Sequence, residues 1–170
     1  MDLLNNLESW LAGLYKGAPN LSIGAKKSIV EIWSWVALIF GILQLWAAIS
    51  LWHLGHTLNT VVNNLNNAYY PLAAANQLIT KTDDLNVFYW ISLIVLAVDG
   101  IILLMAFPQL RRKAKGGWNL LFYGALLNFV YGVVSAFNNY GGFGSLVIQL
   151  IVTAVALYFL FQIRDNYTAK

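Results

Sequence analysis

Apolar residues run almost unbroken through four stretches of the chain: Ile29 to Leu54, Val87 to Phe107, Trp118 to Phe137, and Leu146 to Ile163. A helix needs about 20 predominantly apolar residues, rising about 1.5 Å each, to cross about 30 Å of hydrocarbon. Each stretch is near that length, so the pattern predicts four membrane-spanning helices. Ahead of them, Leu3, Leu4, Leu7, Trp10, Leu11, Leu14 and Tyr15 recur at steps of three and four, while Asp2, Asn5, Asn6, Glu8 and Ser9 occupy the other face. This periodicity predicts an amphipathic helix within residues 1–20, ended by Gly17 and Pro19 and lying in the membrane interface; a partner-binding helix has the same pattern.

The link over residues 55–84 is polar and rich in Asn, yet Leu54, Leu58, Val61, Val62, Leu65 and Tyr69 continue a helical period through its first half. The first spanning helix is therefore expected to project beyond the membrane to Tyr70, where Pro71 disfavours continuation, and a short helix over Leu72 to Thr80 to turn the chain back. The last link, Asn138 to Ser145, reads as a tight turn carrying Gly141, Gly142 and Gly144. The expected fold is all-α, a single membrane-embedded four-helix bundle over residues 1–170 with an interfacial N-terminal helix and a helical outer link.

Composition sharpens this picture. The chain is 59% hydrophobic and 10% charged, where a soluble domain carries about 25% charged residues. So few charges cannot cover a water-soluble fold of 170 residues, which excludes that class. The absence of Cys excludes disulfides, thiolate metal sites and thiol redox relays. Of ten basic residues, nine fall on one side of the predicted spans: Lys16, Lys26, Lys27, Arg111, Arg112, Lys113, Lys115, Arg164 and Lys170. Only Lys81 lies in the outer link, beside Asp83 and Asp84. The positive-inside rule then puts both termini and the Pro108 to Gly117 link in the cytoplasm. Trp33, Trp35 and Trp118 fall at the inner interface and Trp46, Trp52, Tyr89 and Trp90 at the outer one. Arg111, Arg112, Lys113 and Lys115 are placed to meet anionic lipid headgroups. The expected surroundings are the lipid bilayer, a second copy of the chain or another membrane protein; nucleic acid is not expected.

Small and polar residues stripe each span: Ser34, Ala37, Gly41, Gln44 and Ala48; Ser92, Asp99 and Ala106; Gly124, Asn128, Gly132 and Ala136; Ser145, Gln149 and Thr153. In lipid such stripes mark faces where helices meet. Asp99 is the most informative residue, because a charge at the helix centre costs about 2.5–3.5 kcal/mol on insertion scales. Counted from the cytoplasmic ends, Asp99 lies about 12 Å deep and Asn128 about 15 Å, which predicts a hydrogen bond between them. Gln44 and Gln149 form a second expected layer. A polar core or an ion or proton path would use Asp99, Asn128, Gln44, Gln149 and Thr153. His53 and His56, at i and i+3, are weak metal candidates that would need Asp83 or Asp84 as further ligands, and no bound metal is expected. Glu31 is expected to pair with Lys27 or Arg164. The chain has no phosphate loop, His-Glu-x-x-His or Gly-x-Ser-x-Gly motif, so neither an enzyme nor a cofactor is expected. The expected role is a scaffold, accessory subunit or homo-oligomeric bundle, with a small ion- or proton-coupled transporter or channel built on Asp99 as the alternative.

The run AFPQLRRKAKGGWNLLFYGALLNFVYGV at 106–133 and the tail YFLFQIRDNYT at 158–168 resemble the uncharacterised small four-helix integral membrane proteins of candidate-phyla bacteria. The resemblance is best over the three C-terminal helices. It implies a bacterial inner-membrane protein and carries no site residue with it. Small multidrug exporters have a Glu within the first helix where this chain has Gln44, and claudin-like proteins have a cysteine pair that it lacks.

Overall fold

A computed structural model describes residues 2–73, 87–136 and 143–168. All regular structure among them is helical: α1 (Asp2–Leu14), α2 (Ile23–Ala73), α3 (Val87–Arg111), α4 (Lys115–Ala136) and α5 (Phe143–Gln162), with 3-10 turns at Tyr15–Gly17 and Arg164–Asn166. Three of them contain helical segments long and apolar enough to cross a membrane: Ile23–Leu58, Tyr89–Arg111 and Lys115–Ala136. The apolar part of α5, Leu146–Gln162, is shorter. Between 17% and 22% of the residues in the most apolar stretch of each long helix are fully buried, and each of these helices leaves large apolar side chains exposed, α2 most of all. Ile32, Ile39, Ile42, Trp46 and Ile49 of α2 are all more than half exposed, and hydrocarbon is the solvent that tolerates such a surface.

The helices are longer than the apolar runs alone suggested. At 51 residues α2 measures about 77 Å, more than twice the thickness of a bilayer core. In its polar part Thr57 Oγ1 donates back to His53 O at 2.9 Å and Thr60 Oγ1 to His56 O at 3.0 Å, which satisfies both hydroxyls within the helix. It also runs through Pro71 to Ala73 instead of ending at Tyr70. A proline in the last turn forfeits its own amide bond to the carbonyl four residues back, and little helix remains beyond it to be broken. From residue 74 on, the expected short helix at Leu72 to Thr80 lies outside the described residues, as do Asp83, Asp84 and residues 137–142.

Each helix packs chiefly on its neighbour in sequence, antiparallel, in the order α2, α3, α4, α5. The backbones of α2 and α3 come close together at Gly41 and Gly100. A Cβ on Gly41 would stand 3.1 Å from Gly100 O, and one on Gly100 3.2 Å from Gly41 O, so side chains there would push the backbones apart. The densest core lies at the end where α2 and α4 begin and α3 and α5 end, the end that carries most of the basic residues. Val30, Ala37, Ala106, Leu110, Trp118, Leu121, Phe122, Leu157, Leu160 and Ile163 are buried there.

The link between α3 and α4 shrinks to Arg112, Lys113 and Ala114, because α3 continues through Pro108 to Arg111 and α4 starts at Lys115. Lys113 N–H donates to Leu110 O at 2.9 Å and Ala114 N–H to Gln109 O at 2.9 Å, with Lys113 at φ 54°. This is a Schellman end with lysine in the left-handed position that glycine usually holds. Gly117 lets the second helix turn in at once, since a Cβ there would stand 2.7 Å from Leu110 N.

The N-terminal segment packs along α5. Leu11 and Tyr15 face the core, Tyr15 stacks on Phe161 with ring centroids 5.5 Å apart, and its hydroxyl donates to Ala154 O at 3.0 Å. Glu8 pairs with Arg164. Gln162 then pins the connection into α2 by accepting from Leu21 N–H at 3.3 Å and donating to Pro19 O at 3.2 Å, with Tyr158 OH on the same carbonyl at 2.6 Å. Leu4, Trp10 and Leu14 stay exposed.

Candidate functional site

Asp99 sits 12 residues from either end of α3, mid-helix, and is 5% exposed. Its partner is on α2: Gln44 Nε2 donates to Asp99 Oδ2 at 2.9 Å. The room comes from α4, where Gly124 faces the carboxylate so closely that a Cβ would stand 3.0 Å from Oδ1. Three helices thus meet at one buried acid. The expected bond from Asp99 to Asn128 is not made. Asn128 Nδ2 folds back to Gly124 O at 2.9 Å, four residues earlier on its own helix. Equal depth made the pair look reachable, but depth leaves the angle around the helix axis open, and Gln44 is the residue on the right side of α2.

Gln149 and Thr153 form a second contact, between α4 and α5. Gln149 Nε2 donates to Asn128 O at 3.1 Å and to Thr153 Oγ1 at 3.4 Å. Gly132 makes the space, since a Cβ there would overlap Gln149 Cγ at 2.2 Å. Gln44 and Gln149, read from the sequence as one layer, therefore belong to different helix pairs. One acceptor in the first contact has no partner: Gln44 Oε1 is buried without a hydrogen bond.

The basic residues separate around the α3–α4 turn. Arg111 lies over the Trp35 and Phe107 rings, 5.4 and 6.0 Å from their centroids, and with Lys113, Glu31, Ser34, Trp35, Val30 and Leu110 it lines a cleft of about 310 Å³. Lys115 lines another, of about 290 Å³, with Trp118, Arg164, Asp165, Tyr167 and Thr168. Arg112 is exposed in the turn. The expected pairing of Glu31 with Arg164 is replaced by Glu8, because the N-terminal segment reaches Arg164 across α5. A third cleft, apolar and of about 200 Å³, opens between α2 and α5 over Leu103, Leu121 and Ala125.

His53 and His56 are exposed, and His56 packs edge-on against Trp52 at 4.8 Å and Trp90 at 6.0 Å. No group of three metal-ligating side chains occurs among the described residues.

Three contributors escaped the sequence reading. Trp118, expected at the interface, is fully buried, stacked on Phe122 and donating Nε1–H to Leu160 O at 2.8 Å. The adjoining Gly116 and Gly117 were the available signal, since paired glycines admit the close approach that encloses a tryptophan. Gly100 was hidden behind its neighbour Asp99. Tyr167 is 2% exposed with no partner for its hydroxyl, and burial pushes its pKa up to about 12; burial also raises that of Tyr15. Comparison with protein-family models, curated proteins and solved structures finds no match to this chain.

Proposed function

We propose that the chain is a multi-pass, four-helix protein of the bacterial inner membrane with both termini in the cytoplasm. Its role is non-enzymatic, as a scaffold, an accessory subunit or a homo-oligomeric bundle. Outward apolar surface on the long helices, the placement of basic residues and the resemblance to small four-helix membrane proteins support the setting. The exposed Leu4, Trp10 and Leu14 give α1 an apolar face for the membrane interface while Leu11 and Tyr15 hold it to α5.

The observation that carries the role is what Asp99 does. Its carboxylate is engaged by Gln44 and seated on Gly124, as an interhelical clasp would be, and among the described residues the clefts named above do not have Asp99 in their walls. Transport by way of Asp99 is the second reading. It is favoured by the unpartnered Gln44 Oε1 beside the acid, an acceptor that a proton or cation could satisfy.

Asp99→Asn separates the two. Asn keeps the shape and the hydrogen-bonding capacity and removes the charge, so a clasp should hold its thermal stability in detergent or gain up to about 2 kcal/mol. Proton or cation flux in proteoliposomes should not change. Loss of an established flux with intact folding would transfer the assignment to transport.

A further inference from the structure

The cleft between the start of α2 and the end of α3 holds both signs of charge in unpaired form. Glu31, Arg111 and Lys113 line it, yet among the described residues Glu31 makes no ion pair and the only salt bridge is Arg164 to Glu8. Its volume of about 310 Å³ falls within the range of small-ligand sites, about 300–1,000 Å³. Ser34, 4% exposed, forms part of its inner wall. The guanidinium of Arg111 is held over Trp35 and Phe107, and the half-exposed Trp35 carries the cleft on to the apolar flank of α2.

Lys113 supplies a separate argument. It occupies the left-handed position of the Schellman end, φ 54°, a conformation that is strained for a residue with a Cβ and free for glycine. The turn would form more readily with Gly. Lys113 lines the cleft, and what lysine adds over glycine at that position is a positive charge.

We propose that the Glu31–Ser34–Arg111–Lys113 cleft binds the headgroup of a zwitterionic amino-phospholipid, with the phosphate on Arg111 and Lys113 and the primary ammonium on Glu31. A purely anionic headgroup would satisfy the two cations and be repelled by Glu31, whereas phosphoethanolamine presents both charges in the required order. A choline headgroup has the same charges but no N–H to donate to the carboxylate. The lipid's chains would leave along Trp35, on the outward apolar surface. This site deepens the basic turn's expected contact with lipid headgroups and rests on the membrane placement proposed above.

The test uses the full chain in detergent micelles, titrated with phosphatidylethanolamine, phosphatidylcholine or phosphatidylglycerol, and read by native mass spectrometry and thermal shift. The ethanolamine lipid should bind about tenfold more tightly than the choline lipid, the worth of one charge-assisted hydrogen bond. Glu31→Gln should erase that preference while leaving phosphate-dependent binding. Lys113→Gly should weaken binding of both zwitterionic lipids and at the same time raise the lipid-free unfolding temperature, a pairing that a merely structural lysine would not give. Equal affinity for ethanolamine and choline lipids, or a preference that survives Glu31→Gln, overturns the proposal. Soluble glycerophosphoethanolamine binding as tightly as the lipid overturns the lipid as its source. Flotation with vesicles is measured in parallel: variants that lose selectivity should still float, whereas a wild-type chain that does not float defeats the membrane placement itself and the proposal with it.

Discussion

Tyr167 is 2% exposed and its hydroxyl has no hydrogen-bond partner, so folding takes that group out of water without replacing the bonds it made there. An unmet buried hydroxyl costs about 1–3 kcal/mol, while the ring packs in the same core as Trp118 and Ile163. Tyr167→Phe keeps the ring and removes the cost, and should stabilise the chain by about 1 kcal/mol in thermal unfolding. The same burial has a pH signature. The folded phenol is pushed up to about 12 from its ordinary 10.0, so the unfolded chain gives up its proton first. Stability from this source is complete below about pH 10 and is lost as pH rises towards about 12. Tyr15 shifts in the same direction. An unfolding titration over that range should fall less steeply for Tyr167→Phe than for the wild type; identical slopes would mean that the ring is not buried as described.

On α4, two glycines make room for polar side chains of the neighbouring helices. Gly124 receives Asp99, and Gly132 receives Gln149, whose amide then bridges Asn128 O and Thr153. Gly132→Leu should cost about 1–3 kcal/mol in detergent, because Gln149 must leave its bonds before the new side chain can fit. A double-mutant cycle isolates the mechanism: with Gln149→Ala in place, Gly132→Ala should cost much less than it does alone, and strict additivity would place Gly132 elsewhere. The α3–α4 turn works on the same principle at shorter range, with Gly117 against the backbone of Leu110 and the enclosed Trp118 following directly. Apolar periodicity made the stripes legible as contact faces. It could not pair them, because the angular position of each stripe depends on the volume of what it meets.

Across the whole molecule, the basic residues gather at the end where the core is densest, and α2 projects its polar part from the other end. The proposed orientation puts that projection outside the cell. A cysteine at Asn64, beyond the Leu58 limit of the apolar segment and the chain's only thiol, should react with an impermeant maleimide in intact cells. Labelling only after lysis would invert the topology. The helices themselves were determined by the sequence alone, since an apolar run of this length can satisfy its backbone polar groups in hydrocarbon only by coiling on itself. Run length and period are local properties, and so is the depth of Asp99 along its helix. Tertiary structure decided the rest: that Gln44, and not Asn128, bonds Asp99, that Trp118 goes inside, and that Glu8 takes Arg164. Each of these depends on how neighbouring helices are rotated about their axes, and that rotation is set by the combined volumes of side chains far apart in sequence, such as Leu104 against Gly41 and Gln149 against Gly132.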